Sequence, residues 1–147
     1  MKKPLILVLA VAAAFSLYVW AMPHPDVEGV QAAVEDYVEG IYQVEPDRIE
    51  RSVHQDLWKR GFYKRQGEWR LAPMNYEQLH RLSANWNKDG KRANQESPKQ
   101  IVVFDVLDKT ASAKLTAEWG VDYFHLAKVD GKWQIMNVLW QSPPEGH

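Results

Sequence analysis

The chain has 147 residues, is 46% hydrophobic and 12% aromatic, and carries a formal net charge of −1. That length suits one domain with one real core, and the apolar load excludes a disordered chain. Acids and bases are interspersed without a basic stripe, which argues against nucleic acid as a partner; the lack of cysteine excludes disulfides, thiolate metal sites, a cysteine nucleophile and a lipoprotein anchor.

Met1-Lys2-Lys3 is a short basic start. An apolar run follows from Leu5 to Ala14 and continues through Phe15, Leu17 and Val19. Val19 and Ala21 put small residues at the −3 and −1 positions of a cleavage site, so 1–21 reads as a signal peptide. The alternative is an uncleaved membrane anchor, because the run falls just short of the length that spans a bilayer. Both readings place the folded part outside the cytoplasm, periplasmic or secreted.

Residues 26–142 are expected to form the domain. Asp26 is placed to cap a helix, and Val27, Val30, Val34, Tyr37, Val38 and Ile41 recur at helical spacing. Glu45-Pro46-Asp47 opens a second, shorter helix with Pro in its first turn. Its apolar positions are Ile49 and Val53, with His54 and Leu57-Trp58 at or beyond its end. Phe62 to Leu71 predicts a hairpin turning at Gln66-Gly67. Asn75-Tyr76-Glu77-Gln78 resembles a capping box and starts a third helix, with Leu79 and Leu82 facing inward. Trp86 to Ser97 is polar and reads as an exposed loop.

Strands are expected at Gln100–Leu107, Thr110–Glu118, Val121–Val129 and Lys132–Gln141, with a strong type I′ signal at Asp130-Gly131. Helices first and an antiparallel meander last make an α+β domain. With no bulge, alternation puts Val102, Phe104, Ala113, Leu115, Ala117, Phe124, Leu126, Trp133, Ile135 and Leu139 on the core face. Ser112, Lys114, Thr116, Glu118, Tyr123, His125, Gln134, Met136, Val138 and Trp140 fall on the opposite face. Asp122 and Asn137 join the core set. A buried carboxylate is costly unless bonded or paired. These two groups therefore either bond to each other or to loop backbone and fix the fold, or they line a cavity and face a ligand.

The pattern of two short helices, a hairpin, a third helix and a meander ending in "DGKWQIMNVLW" resembles the nuclear transport factor 2-like superfamily, which includes SnoaL-like cyclases and ketosteroid isomerase. Within it, "VEDYVEGIYQVEPDRIERSVHQDLWKRGF" and "DYFHLAKVDGKWQIMNVLW" most resemble the lumazine-binding family. The resemblance covers essentially all of Asp26 to Ser142. It implies a cone-shaped α+β fold with three helices on a curved antiparallel sheet and a pocket between helices and concave sheet. It also implies a homodimer, formed here through the outer face offered by Tyr123, His125, Met136, Val138 and Trp140.

The candidate ligand-binding residues are Asp122, Asn137, His54, Tyr37, Tyr42, Trp58 and Trp119. His54 is a proton donor or anion hook at the pocket mouth, or a helix-end histidine stabilised by the dipole. Asp122 in an apolar site could serve as a general base, with Tyr37 or Tyr42 supplying a hydroxyl. Trp58, Trp86 and Trp119 lie near loops where a rim could stack on a flat ligand, while Trp133 reads as core. His24, His54, His80, His125 and His147 lack metal-ligand spacing, and no phosphate loop or nucleophile elbow stands out, so neither metal nor cofactor is expected. Lys59-Arg60 and Lys64-Arg65 read as a solvated basic patch. The leading expectation is an exported small-molecule-binding or accessory protein. The alternatives are a cofactor-independent isomerase, cyclase or dehydratase working through Asp122 or His54, and a structural dimer module.

Overall fold

The computed structural model describes residues 25–143, so the expected signal segment 1–21 lies outside the described residues. Helix α1, Val27–Tyr42, buries the predicted stripe. Val30, Val34, Tyr37, Val38 and Ile41 are each at most 2% exposed. Asp26 stands at the N-cap without a side-chain capping bond; its carboxylate instead accepts from Lys128 Nζ at 2.8 and 2.9 Å. The Asp26 carboxylate sits where the helix dipole favours negative charge, and its pairing with Lys128 ties the helix start to the sheet.

Helix α2, Pro46–Ser52, has Pro in its first turn. It packs closely on α1 because Gly40 lacks a side chain. A Cβ there would lie 3.1 Å from Arg48 Cβ and 3.3 Å from Ile49 Cδ1. Helix α3, Tyr76–Ser83, carries the predicted capping box. Asn75 Oδ1 accepts from the Gln78 N–H, and Gln78 Oε1 accepts from the Asn75 N–H, both at 3.0 Å.

The strands are β1 (Val53–Arg65), β2 (Glu68–Met74), β3 (Gln100–Val106), β4 (Thr110–Ala117), β5 (Gly120–Val129) and β6 (Lys132–Gln141). They form one sheet in the order β2-β1-β6-β5-β4-β3. The sheet is mixed, not purely antiparallel, because β1 runs parallel to β6. Strand β1 also starts at Val53, directly after α2, so it is longer than the predicted hairpin arm. Two of the hairpin turns are as the sequence predicts. Gln66-Gly67 and Asp130-Gly131 have both central residues at positive φ (54° and 82°, 49° and 79°), as a type I′ turn requires.

Alternation fails at two bulges. In β6, His125 pairs with Asn137 but Leu126 pairs with Ile135, so Met136 is the extra residue. From there onward the faces invert. Val138 is fully buried and Leu139 is 49% exposed, the reverse of expectation. Asn137 moves to the outer face opposite His125, and Trp140 moves to the inner face opposite Asp122. In β3 the extra residue is Phe104, which leaves Val102 and Phe104 exposed while Val106 is buried. The expected strands Thr110–Glu118 and Val121–Val129 leave a turn at Trp119-Gly120 that pairs Ala117 with Asp122, but the turn falls at Glu118-Trp119, so the register is displaced by two residues and Leu115 lies opposite Asp122. A two-residue shift keeps every face, so Ala113, Leu115, Ala117, Asp122, Phe124 and Leu126 are buried as expected.

The segment from Trp86 to Ser97 has no regular structure, yet it is anchored rather than merely exposed. Asn87 is buried. Its amide donates to the Tyr42 and Ala93 carbonyls, and its oxygen accepts from the Arg92 and Ala93 N–H groups. This clamp holds Trp86 against the end of α1.

Candidate functional site

Register alone brings the key groups together. Reading the inner face across β1, β6, β5 and β4, one row is Lys59, Val138, Phe124 and Ala113. The next is Gly61, Trp140, Asp122 and Leu115. Lys59 and Asp122 are therefore diagonal across β6, both pointing toward the helices. Gly61 matters because a Cβ there would sit 2.1 Å from Trp140 Nε1. With no side chain in that place, the indole lies across β1 instead of filling the centre of the sheet.

Lys59 is 6% exposed and Asp122 fully buried. Lys59 Nζ lies 3.4 Å from Asp122 Oδ1 and donates to the Tyr37 hydroxyl at 2.7 Å. It also stands 5.4 Å from the centroids of both the Tyr37 and Trp140 rings, within range of a cation–π attraction. The second Asp122 oxygen accepts from Trp119 Nε1 at 2.9 Å. Burial pushes the Lys59 amine below its ordinary pKa, while the Asp122 carboxylate works in the opposite direction. Burial, reinforced by Asp122, holds the Tyr37 phenol well above its ordinary value, so it stays protonated.

These groups close the floor of a half-enclosed pocket of about 100 Å³, lined by Tyr37 and Lys59 below and by Ile41, Leu79 and Leu82 from the helices. Trp86, Trp119 and Trp140 complete an aromatic wall, and Met74 lies at the rim. The wall is braced. Trp86 and Trp119 meet edge to face at 5.4 Å, and Trp119 packs against Tyr42 at 5.5 Å and Tyr37 at 6.2 Å. The volume is of the order of one aromatic ring, given that a dry cavity of about 150 Å³ admits benzene. Past Met74, Leu82 and Trp86 the pocket continues into a shallow groove bordered by Gln78, Arg81 and Arg92.

Of the predicted residues, the structure gathers Tyr37, Asp122 and Trp119 here. Tyr42 stands behind the wall: its hydroxyl donates to the Pro98 carbonyl at 2.7 Å and accepts from the Glu118 N–H at 2.8 Å. Three others lie elsewhere. Asn137 is on the outer face because of the β6 bulge, and Trp58, its neighbour in β1, is 51% exposed there. His54 is the second residue of β1 and lies in a separate surface groove with Glu50, Asp56 and His80. Its Nδ1 accepts from the Asp56 N–H at 3.1 Å. Among the described residues no group of three metal-ligating side chains comes together. Lys59, expected in a solvated basic patch, is instead buried at the floor of the pocket. The available signal was the spacing of Leu57, Lys59 and Gly61, which places the lysine on the buried face between an apolar residue and a glycine.

Chemically, the floor offers an amine and a phenol to a ligand. Asp122 does not line the pocket, and both its oxygens are engaged, so it orients Lys59 rather than meeting a substrate.

A family model described as "Putative lumazine-binding" matches residues 25–141. No curated protein matches the chain. Among solved structures, an NTF2-like protein of unknown function from Shewanella baltica OS155 superposes with a TM-score of 0.65 at 18% identity, covering 82% of this chain and 95% of that one. A second NTF2-like protein of unknown function, from Silicibacter pomeroyi DSS-3, gives 0.61 at 17% identity over 79% and 94%. A ketosteroid isomerase-like protein from Erwinia carotovora atroseptica SCRI1043 gives 0.55 at 14% identity over 82% and 98%. At these identities the likeness is one of fold.

Proposed function

The chain belongs to the lumazine-binding family of the NTF2-like superfamily, and from this premise we propose that it is an exported protein that binds a small, flat, partly apolar molecule. The observation that carries the reading is Lys59. A buried amine with its counter-ion behind it faces a ring-sized aromatic pocket. A protein seeking stability alone gains little from such a pair, since apolar residues of similar volume usually serve as well. Apolar walls with a few convergent polar groups are the usual composition of a ligand site. Binding is favoured over proton-transfer catalysis because Asp122 is covered and His54 lies in another groove.

Two further features belong to this reading. Helix α1 touches β3, β4 and β6, which supports a sheet curved round it as a cone with the pocket at one end. The outer sheet face exposes Trp58, Phe62, Leu71, Tyr123 and Leu139 to between 44% and 53%. That is an apolar surface suited to a second copy of the chain.

The test is native mass spectrometry of the protein recovered from the periplasm of an exporting host. The expected result is a polypeptide starting at Met22 that retains a small molecule. Tryptophan emission should then be quenched when that molecule is added back to stripped protein. Bare protein whose emission ignores a panel of flat aromatic compounds would sink the binding reading, and retention of residues 1–21 would sink cleavage.

A further inference from the structure

We propose that Lys59 captures an aromatic aldehyde or ketone covalently, as an imine on its Nζ, within the Trp86–Trp119–Trp140 pocket. This rests on the small-molecule reading above and names the ligand's chemistry. The amine lines the pocket, whereas its carboxylate partner does not. An anionic head group on the floor would have to share the amine with Asp122, whose Oδ1 is fixed 3.4 Å away and fully buried. Two carboxylates around one ammonium in a dry site repel each other. A neutral carbonyl meets no such opposition, and an aromatic ring attached to it matches the walls in size and character.

The neighbours supply what the condensation needs. Asp122 Oδ1 takes a proton from the ammonium, leaving the free amine. The nitrogen lone pair attacks the carbonyl carbon, forming the C–N bond as the C=O π pair moves to oxygen. The Tyr37 hydroxyl, 2.7 Å from Nζ, relays a nitrogen proton to that oxygen and gives a carbinolamine. The Tyr37 hydroxyl then gives a proton to the carbinolamine hydroxyl, which leaves as water while the nitrogen lone pair forms C=N, and the proton held by Asp122 restores the phenol. The balance is ammonium plus carbonyl giving iminium plus water, with no oxidant or reductant. The iminium keeps the positive charge opposite the Asp122 carboxylate, so the ion pair survives the reaction. Nucleophilic lysines are commonly activated in this way, by a desolvating pocket. The guanidinium groups of Arg81 and Arg92 border the mouth, where they can receive an acidic substituent on the far side of the ring.

The probe is 4-formylbenzoate, with 4-methylbenzoate as the analogue that cannot condense. The full chain is incubated with the aldehyde and sodium cyanoborohydride near pH 7, then digested and mapped by mass spectrometry. Each unit by which burial lowers an amine's pKa multiplies its free-base fraction about tenfold. Burial lowers the Lys59 pKa, so reductive labelling is expected to be strongest at Lys59, above exposed Lys64 or Lys88, and it should vanish in Lys59→Arg. Site mapping on the unsubstituted chain reads the result even if a variant folds poorly. Labelling spread evenly over surface lysines, while 4-methylbenzoate still quenches tryptophan emission, overturns the imine and leaves binding intact. No quenching by either compound and no Lys59 label overturns both.

Discussion

Asp122→Asn removes the charge opposite Lys59 while keeping the shape of the side chain. The ammonium then remains 6% exposed with only the Tyr37 hydroxyl and two ring faces to stabilise it. At 3.4 Å and an effective dielectric of about 20, the lost attraction is about 5 kcal/mol. Part of this is recovered, because the amine shifts toward its neutral form, so the expected cost is about 3 to 4 kcal/mol, within the range for breaking a buried pair. Lys59→Met leaves the carboxylate with one bond, from Trp119, and is expected to cost about 3 kcal/mol. The double variant Lys59→Met/Asp122→Asn has no buried charge. The amide that replaces the carboxylate still accepts from Trp119 Nε1 and can donate toward the Tyr37 oxygen. It should lie within about 1 kcal/mol of the parent chain. For a domain of this size, each kcal/mol shifts Tm by about 4 °C. The singles should therefore lose more than about 10 °C and the double less than about 5 °C, read by urea and thermal unfolding followed by tryptophan fluorescence. Simple additivity, with the double losing the sum of the two singles, would refute the claim that Lys59 and Asp122 are one coupled unit.

Other expectations follow from the same geometry. Gly61→Ala puts a Cβ 2.1 Å from Trp140 Nε1, so the indole must leave its place over β1. The expected loss is about 2 kcal/mol or more, with a shift in tryptophan emission, and an unchanged spectrum would count against the close approach. Above pH 10 the unfolded chain releases its tyrosine protons, while Tyr37 and Tyr42, the latter pushed up to about 12, keep theirs in the fold. The folded state then binds more protons, so stability should fall as pH rises through this range. Lys59 has the opposite sign, because its lowered pKa makes stability rise with pH up to about 10.5. Tyr37→Phe should flatten the alkaline fall in urea-denaturation midpoints, and an equally steep fall would show that Tyr37 does not contribute. Leu139→Glu, at a position 49% exposed on the outer face, should convert a dimer to a monomer in sedimentation. A stable dimer in that variant would move the interface elsewhere.

The elements with strong local chemistry were legible in the sequence. The α1 stripe, the Asn75–Gln78 capping box and the positive-φ turns at Gln66-Gly67 and Asp130-Gly131 all rest on residues within a few positions of each other. What was not legible is set by partners far along the chain. That β1 begins at Val53 depends on the β6 edge it joins in parallel, and nothing in "VHQDLWKR" alternates cleanly, since Gln55 and Asp56 are exposed together ahead of Leu57. The bulges at Phe104 and Met136 have no residue signature either, because Phe and Met fit a regular strand equally well. Each inverts the faces on one side only, which is why Leu126, Phe124 and Asp122 are inside as expected while Asn137 and Leu139 are not.

The β6 bulge is also what makes the site. Without Met136 as the extra residue, Asn137 would point at the core and Trp140 outward, and Asp122 would face Leu139. The floor would then hold a carboxylate and an amide beneath an aliphatic side chain, with no wall on the β1 side. The inversion instead puts Val138 beneath the helices and swings Trp140 in beside Asp122, where the bare backbone of Gly61 receives its ring. The same step aligns Lys59 with Val138 on the inner face, so a residue from a basic-looking run reaches a buried acid two strands away. The amine, its counter-ion and the aromatic wall thus depend on Asn137, not Met136, being the partner of His125. Deleting Met136 would join Ile135 to Asn137 in a regular ladder with the same partners, Leu126 and His125, so reductive labelling at Lys59 should survive that deletion as it should survive Met136→Ala, and its loss in either variant would refute this account of the bulge.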